Sequence, residues 1–427
     1  MYKIRRKGKG VQIFDTYDYY KTFNLNQTEW EIVKAVKNYN LEKAIEKISS
    51  LFKISKKDAK EDIETVLSNI NKIGADLENI PISLPRNKRN LLTVQFDVSS
   101  KCNSNCIYCL VSDHIETKEE VSTETILKVI SELPDLGTWV LVLSGGEPLL
   151  RKDVFDIIEH ADNLGILVQF LTNGILIDEK VAKRLATFKH LQIRISLDSC
   201  IPEHHDKHRG AKGSFEKTVR GIKNLKNQGI TPEIAVVVSS INYDDFDKTV
   251  DFLKELGIKY VRIGAVSTLM GKGYEQREYL PLNSKQYNEL GKKIIEHNKK
   301  CKSLLFDPIK ELVVYATPPS FDKKLEPCGI GKSKIYISAD GLVYPCIGVS
   351  FSKFVIGDIK KDKLSDIWKN SDLLKKLRNL TTKDIKHCSN CKFEELCTGG
   401  CRANSYRYFK SIFEHDPLYC VYYKYNK

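Results

Sequence analysis

The chain has 427 residues, 41% hydrophobic and 29% charged, which is enough for two or three domains with sizeable cores and unlike a disordered or fibrous chain. Its net charge of +13 comes from 68 Lys and Arg interleaved with 55 Asp and Glu along helical patterns, which suits solvated faces or an acidic peptide better than nucleic acid. No stretch is long and apolar enough to cross a membrane, and MYKIRRKGKG runs into VQIFDTYDYY rather than an apolar signal core, so a cytoplasmic location with reduced thiols is expected.

Residues 1–80 read as a small winged-helix-like domain. A hairpin-like start, Val11 to Phe14 and Tyr19 to Phe23, leads into three helices. Asn26 with Glu29 makes a capping-box pattern ahead of Trp30, Val33 and Val36. Asn40 precedes Leu41, Ala44, Ile45 and Ile48, and Ser55 precedes Ala59, Ile63, Val66, Leu67 and Ile70, all at helical spacing. A DNA-binding winged helix would need a strongly basic recognition helix, whereas SKKDAKEDIETVLSNINKIG mixes both signs. The run IPISLPRNKRN, residues 80–90, reads as a linker that occupies 81–90.

From residue 91 strands and helices alternate. Strands are expected at Leu92–Val98, Trp139–Leu143, Leu167–Leu171, Leu191–Leu197, Glu233–Val238 and Tyr260–Val266, with amphipathic helices between them. Regular alternation means an α/β fold with a parallel sheet, and six units are too few for a complete eight-stranded barrel. A partial (β/α)6 barrel over 91–300 is the expectation, with chemistry in the loops after the strand ends, where Cys102, Gly145, Asn173, Asp198 and Ser239 stand. Residues 271–325 read as a helical connector, with Asn283 to Lys300 its clearest helix, and 301–427 as connector plus a Cys-rich region.

Two groups of cysteines carry the chemistry. Cys102, Cys106 and Cys109 are spaced C-x3-C-x2-C just after the first barrel strand. Three thiolates can hold one corner of a [4Fe–4S] cube and leave the fourth iron open. A zinc site completed by His114 is the alternative. Downstream stand Cys328, Cys346, Cys388, Cys391, Cys397, Cys401 and Cys420, seven ligands that do not divide into two closed four-cysteine zinc sites. Cys200 and Cys301 read as ordinary small core residues. After the second strand comes Ser144-Gly145-Gly146-Glu147-Pro148, where two glycines let a ligand approach the backbone and Glu147 can accept from a cationic amine.

These motifs together resemble the radical S-adenosylmethionine (radical SAM) superfamily. The resemblance implies that Tyr108 lies near the adenine and that the Ser144–Pro148 loop holds the methionine amine. It also implies that Ser196 and Asp198 lie near the ribose and methionine carboxylate. HHDKHRGAKGSFEKTVRGI is similar to the HD-x-x-RG-x-x-GSF signature of peptide-modifying members, with Arg209 a carboxylate contact. The downstream cysteines resemble a SPASM domain. That implies a distal auxiliary [4Fe–4S] cluster on Cys388, Cys391, Cys397 and Cys420, and a proximal one on Cys328, Cys346 and Cys401 with an open iron. The nearest further ligand is Cys301. Sulfatase maturases carry an aspartate after the cysteine matching Cys346, where this chain has Ile347, so formylglycine formation is not expected.

Residues 1–80, through LNQTEWEIVKAVKN and the two capped helices, resemble the recognition domain that binds the leader of ribosomally made precursor peptides. There the leader adds a strand to a sheet edge, which Tyr17, Tyr19 and Tyr20 would flank. The whole implies an enzyme that uses S-adenosylmethionine and three [4Fe–4S] clusters, takes electrons from a flavodoxin or ferredoxin and generates a 5′-deoxyadenosyl radical. It would join a substrate Cys sulfur to a carbon, as sactipeptide maturases do, with no catalytic side chain assigned beyond the cluster and S-adenosylmethionine site. Carbon–carbon crosslinking, another peptide modification, or a non-catalytic iron–sulfur electron carrier are the alternatives.

Overall fold

The computed structural model describes residues 2–7, 10–15, 22–25, 27–72, 91–112, 119–268, 270–300, 305–308, 328–397, 399–417 and 420. It divides into two compact units, residues 1–90 and 91–427.

The first unit opens with an antiparallel sheet of β1 (Tyr2–Lys7), β2 (Gly10–Asp15) and β3 (Thr22–Leu25), in that order. The sequence pointed to two or three strands, two of them placed at Val11 to Phe14 and Tyr19 to Phe23. The additional one, YKIRRK, alternates around a single aliphatic residue, and it pairs Ile4 opposite Ile13. Three helices follow, Gln27–Asn38, Leu41–Phe52 and Lys56–Lys72. The Asn40 side chain accepts from Lys43 N at 3.0 Å and Ser55 Oγ accepts from Asp58 N at 3.1 Å, so both expected caps are made. Trp30, Val33, Ala44, Ile48, Ala59, Ile63 and Ile70 converge in a core of the unit's own. Asn26, Tyr17, Tyr19, Tyr20 and the linker lie outside the described residues.

The second unit is built on β4 (Thr93–Ser99), β5 (Val140–Gly145), β6 (Leu167–Thr172), β7 (Leu191–Ser196), β8 (Glu233–Val238) and β9 (Tyr260–Ala265). All six run parallel in sequence order, with their connecting helices packed outside, as in a partial barrel. Ile126, Ile130, Ile157, Ile158, Ile222, Leu225, Val250 and Leu253 on those helices close over the sheet's outer face. The sheet extends at both edges. β10 (Leu305–Pro308) runs parallel to β9, inside the segment expected to be a helical connector. β11 (Lys334–Ile337) runs parallel to β4 and continues antiparallel into β12 (Leu342–Tyr344) and β13 (Gly357–Asp358). Four-residue β10 and β11 are paired by distant strands, which local periodicity does not register. The connector's long helix is Ser284–Lys300.

Strand alternation gives the barrel a polar lumen. Gln169 Nε2 donates to Gln192 Oε1 at 2.9 Å, and Arg194 and Arg262 share Glu233 at 2.9 and 2.8 Å.

Candidate active site

The loop after β4 carries Cys102, Cys106 and Cys109, and three neighbouring elements bind it through backbone groups. From the β5 side, Gly146 N donates to Ser99 O at 2.8 Å and Glu147 N to Lys101 O at 2.7 Å. From the helix Pro202–Arg209, the carbonyls of Arg209 and His208 accept from Asn105 N at 2.8 Å and Ile107 N at 3.0 Å. From the turn after β9, Lys272 N donates to Cys109 O at 3.0 Å. Glycines permit these approaches. A Cβ on Gly146 would strike the Lys101 carbonyl, and one on Gly145, at φ +135°, the Ser99 carbonyl. The backbone that the Gly-Gly pair admits is therefore the cysteine loop itself, a reason the sequence did not disclose.

Glu147 is buried and does not line the cavity described below. Its Oε1 accepts from Leu149 N at 3.1 Å and Thr172 Oγ1 at 2.8 Å, and its Oε2 from Asn173 N at 2.8 Å. Burial raises its pKa against these donors. Pro148, also buried, starts the short turn Pro148–Leu150. Asp198 likewise stands behind the cavity wall. Tyr108 Oη donates to Asp198 Oδ2 at 2.6 Å, Val237 N to Oδ1 at 2.9 Å, and Arg209 Nε lies 3.1 Å from Oδ2. Burial alone would raise its pKa, but Arg209 and His208 hold it well below the usual carboxylate range. Arg209, anchored there, points Nη1 at Cys106 Sγ, 3.4 Å away, and lies over the Tyr108 ring at 5.7 Å.

A cavity of about 940 Å³ opens at the carboxyl ends of the strands. Its walls bring together Cys102, Cys106, Cys109, Tyr108, Ser144, Gly145, Gly146, Ser196 and Arg209, from motifs separated by a hundred residues of sequence. Asn105, Asn173 and Lys272 join them. Of these, Asn173 was marked by its place after a strand, while Lys272 sits in a GKG run with no distinguishing pattern. Burial pushes the Cys102 thiol up to about 11 and Cys109 to about 12, so both stay protonated until a metal displaces the proton. Three convergent thiols beside an open cavity fit a [4Fe–4S] cube that leaves one iron for a small-molecule ligand. His114, the zinc alternative's fourth ligand, lies outside the described residues.

The downstream cysteines fall into two neighbourhoods. Cys401 feels Cys328 and Cys346 as nearby thiols, while Cys388 feels Cys420 and Cys391, and Cys397 feels Cys420 and Cys388. Burial pushes Cys388 up to about 11 and Cys397 to about 12. Asp416, buried, stands between the two groups. Its Oδ2 accepts from Cys401 N at 2.8 Å and Asn404 Nδ2 at 2.9 Å. Cys200 stands in the turn after β7, its N donating to Thr249 Oγ1 at 3.1 Å, and Cys301 lies outside the described residues.

A parallel partial barrel with three loop thiols facing a cavity, followed by a second thiol-rich region, defines an iron–sulfur enzyme. The Radical SAM superfamily pattern matches residues 97–253 and that of the SPASM iron–sulfur cluster-binding domain matches residues 328–392. The chain is 30% identical over 316 residues to the mycofactocin maturase MftC of Mycolicibacterium smegmatis, covering 73% of this chain and 78% of that one. It is 28% identical over 343 residues to an AdoMet-dependent heme synthase of Methanosarcina barkeri, covering 77% of this chain and 96% of that one. Streptococcus suis SuiB bound to S-adenosylmethionine shares the fold, with a TM-score of 0.72 at 18% identity over 97% of both chains. The chain belongs to the radical SAM superfamily and carries a SPASM domain. It is therefore an S-adenosylmethionine-dependent iron–sulfur enzyme. No described helix is long and apolar enough to cross a membrane.

Proposed function

We propose that the protein modifies a ribosomally made precursor peptide by joining a cysteine sulfur to a carbon of another residue. The observation that carries this reading is the cavity that faces the three barrel thiols, in a chain that holds two further thiol groups. Bound at Cys102, Cys106 and Cys109, a [4Fe–4S] cluster supplies the electron that cleaves S-adenosylmethionine and so starts radical chemistry. In this reading Gly145, Gly146, Ser144, Ser196 and Tyr108 form the cofactor's bed, with Arg209 its carboxylate contact. Glu147, Pro148 and Asp198 hold that bed from behind.

Two auxiliary clusters, on Cys388, Cys391, Cys397 and Cys420 and on Cys328, Cys346 and Cys401, bring the total to three. The proximal set has three protein ligands and an iron open to a substrate thiolate. A flavodoxin or ferredoxin in the cytoplasm supplies the electrons. The maturase MftC among the relatives, and a structure of SuiB bound to its precursor peptide SuiA that matches 97% of this chain at a TM-score of 0.69, support a peptide substrate. The 1–80 domain binds the leader, with 81–90 as linker, 91–300 as barrel, and 301–427 as connector and SPASM domain.

The test is anaerobic turnover of a cysteine-containing peptide that carries a leader, with any small open reading frame found beside the gene as its first source. Loss of one free thiol together with two hydrogen atoms is expected by mass spectrometry. Loss of two hydrogens with the thiol intact would favour a carbon–carbon crosslink. The heme synthases among the relatives motivate a second arm with an iron porphyrin. Turnover of that substrate and not the peptide would replace the proposal.

A further inference from the structure

Crosslinking releases more than one hydrogen. Joining X–H and C–H into X–C removes two: one leaves as a hydrogen atom from carbon, the other as a proton and an electron. An oxidised iron–sulfur cluster of the SPASM region can take the electron. The proton needs a base, and the described cavity wall offers none. Its titratable side chains are the three iron-binding cysteines, Tyr108, Arg209 and Lys272. Tyr108 already donates to Asp198, Arg209 is paired with Asp198, and Lys272 Nζ donates to Asn105 Oδ1. Of the carboxylates behind the wall, Glu147 accepts from three donors and Asp198 is paired with Arg209.

Among the other described carboxyls around the barrel, Glu120 accepts from Ser99 and Ser100 and Glu233 is shared by Arg194 and Arg262, which leaves Asp97, outside the sequence motifs. Asp97 lies on β4 in register with Ser144 of β5, and Ser144 lines the cavity. Asp97 is buried, 3% exposed, and Tyr336 Oη donates to its Oδ2 at 2.7 Å. The groups that face it are few. They are the Ser144 hydroxyl on β5 and the Tyr336 phenol on β11, backed by Tyr344 on β12 and by Asp340 in the turn between. We infer that Asp97 accepts, through the Ser144 hydroxyl, the proton that a crosslink formed in this cavity must release. The carboxylate becomes the acid as X–H loses its proton, and it returns the proton to water between turnovers. Burial raises its pKa to about 7, opposed by the Tyr336 hydrogen bond and the neighbouring Ser144 hydroxyl, while its buried Oδ1 has no hydrogen-bond partner among the described residues, which places it where a proton acceptor is most effective at neutral pH.

The inference rests on the crosslinking reading, and its test separates the two. Infrared titration of the cluster-loaded enzyme should show a carboxyl band that disappears as pH rises through about 7, absent in Asp97→Asn. With a leader-bearing, cysteine-containing peptide that the wild-type enzyme modifies, crosslinking should rise over the same interval. Asp97→Asn should slow it by about 10²-fold or more at pH 8 and flatten the profile, while uncoupled 5′-deoxyadenosine formation persists. Tyr336→Phe removes a donor to the carboxylate and should move the rising limb to higher pH, a change that a merely structural contact would not produce. A titration at ordinary carboxylate pH, or an unaltered profile in Asp97→Asn, overturns the role of Asp97. A wild-type enzyme that leaves leader-bearing, cysteine-containing peptides unmodified overturns the crosslinking reading instead.

Discussion

The two thiol-bearing regions are held in different ways. The loop of Cys102, Cys106 and Cys109 is tied by backbone hydrogen bonds to the β5 end, the Pro202–Arg209 helix and the turn after β9. The segment of Cys388 to Cys420, beyond the strands that join the barrel sheet, relies on short turns and on buried side chains such as Asp416 and Arg402. A backbone-tied loop is shaped before metal arrives. A region pinned by a few side chains and many thiols gains much of its order from the metal. The contrast predicts that the barrel site fails through glycines and the downstream sites through polar side chains.

The largest effect should come from replacing Cys102, Cys106 and Cys109 together with Ala. Cleavage of S-adenosylmethionine should vanish while iron bound downstream remains, measured by product analysis and metal content. Loss of all iron would show that the two regions assemble as one.

Gly146→Ala should come next. The new Cβ meets the Lys101 carbonyl, and neither strand end nor loop can yield cheaply. A destabilisation of several kcal/mol is expected, with loss of barrel iron. Gly165→Ala meets nothing within 4 Å and bears only the cost of its φ of +66°, about 1 kcal/mol, so it serves as the control. Equal losses in the two variants would refute the strapped-loop account.

Asp416→Ala strips the acceptor from Cys401 N and Asn404. About 1–3 kcal/mol of local stability should go. Thermal release of iron should then begin at a lower temperature downstream while the barrel signal is unchanged.

The smallest effect concerns Asp97. Its folded pKa of about 7 exceeds the ordinary 3.8, so the folded state binds more protons between those values. Stability is then full below about pH 4 as far as this group is concerned, and declines as pH rises towards 7. Asp97→Asn should flatten that slope, with a gain above pH 7 of at most a few kcal/mol by denaturant unfolding.

Much of this was legible in the sequence. The six barrel strands fall within a residue or two of expectation, because buried β segments between amphipathic helices give a strong periodic signal. The thiols stood out by spacing alone. What could not be read was which groups face one another. Glu147 matched a ligand-binding pattern, yet its carboxylate serves Asn173, Leu149 and Thr172. Asp97 looked like any strand residue, because its partner Tyr336 lies 239 residues away. β10 and β11 were missed for the same reason: their partners are distant in sequence.

Lys334↔Thr93 through Ile337↔Phe96 pair the strand leading toward Cys346 with the strand leading to Cys102. The thiol-rich region is thus stitched into the barrel's own sheet rather than appended to it. A chain cut after the Ser284–Lys300 helix would leave β4 with a row of unpaired N–H and C=O groups, an adhesive border that recruits other chains. The region that carries the auxiliary thiols doubles as the hem that keeps the barrel from self-association.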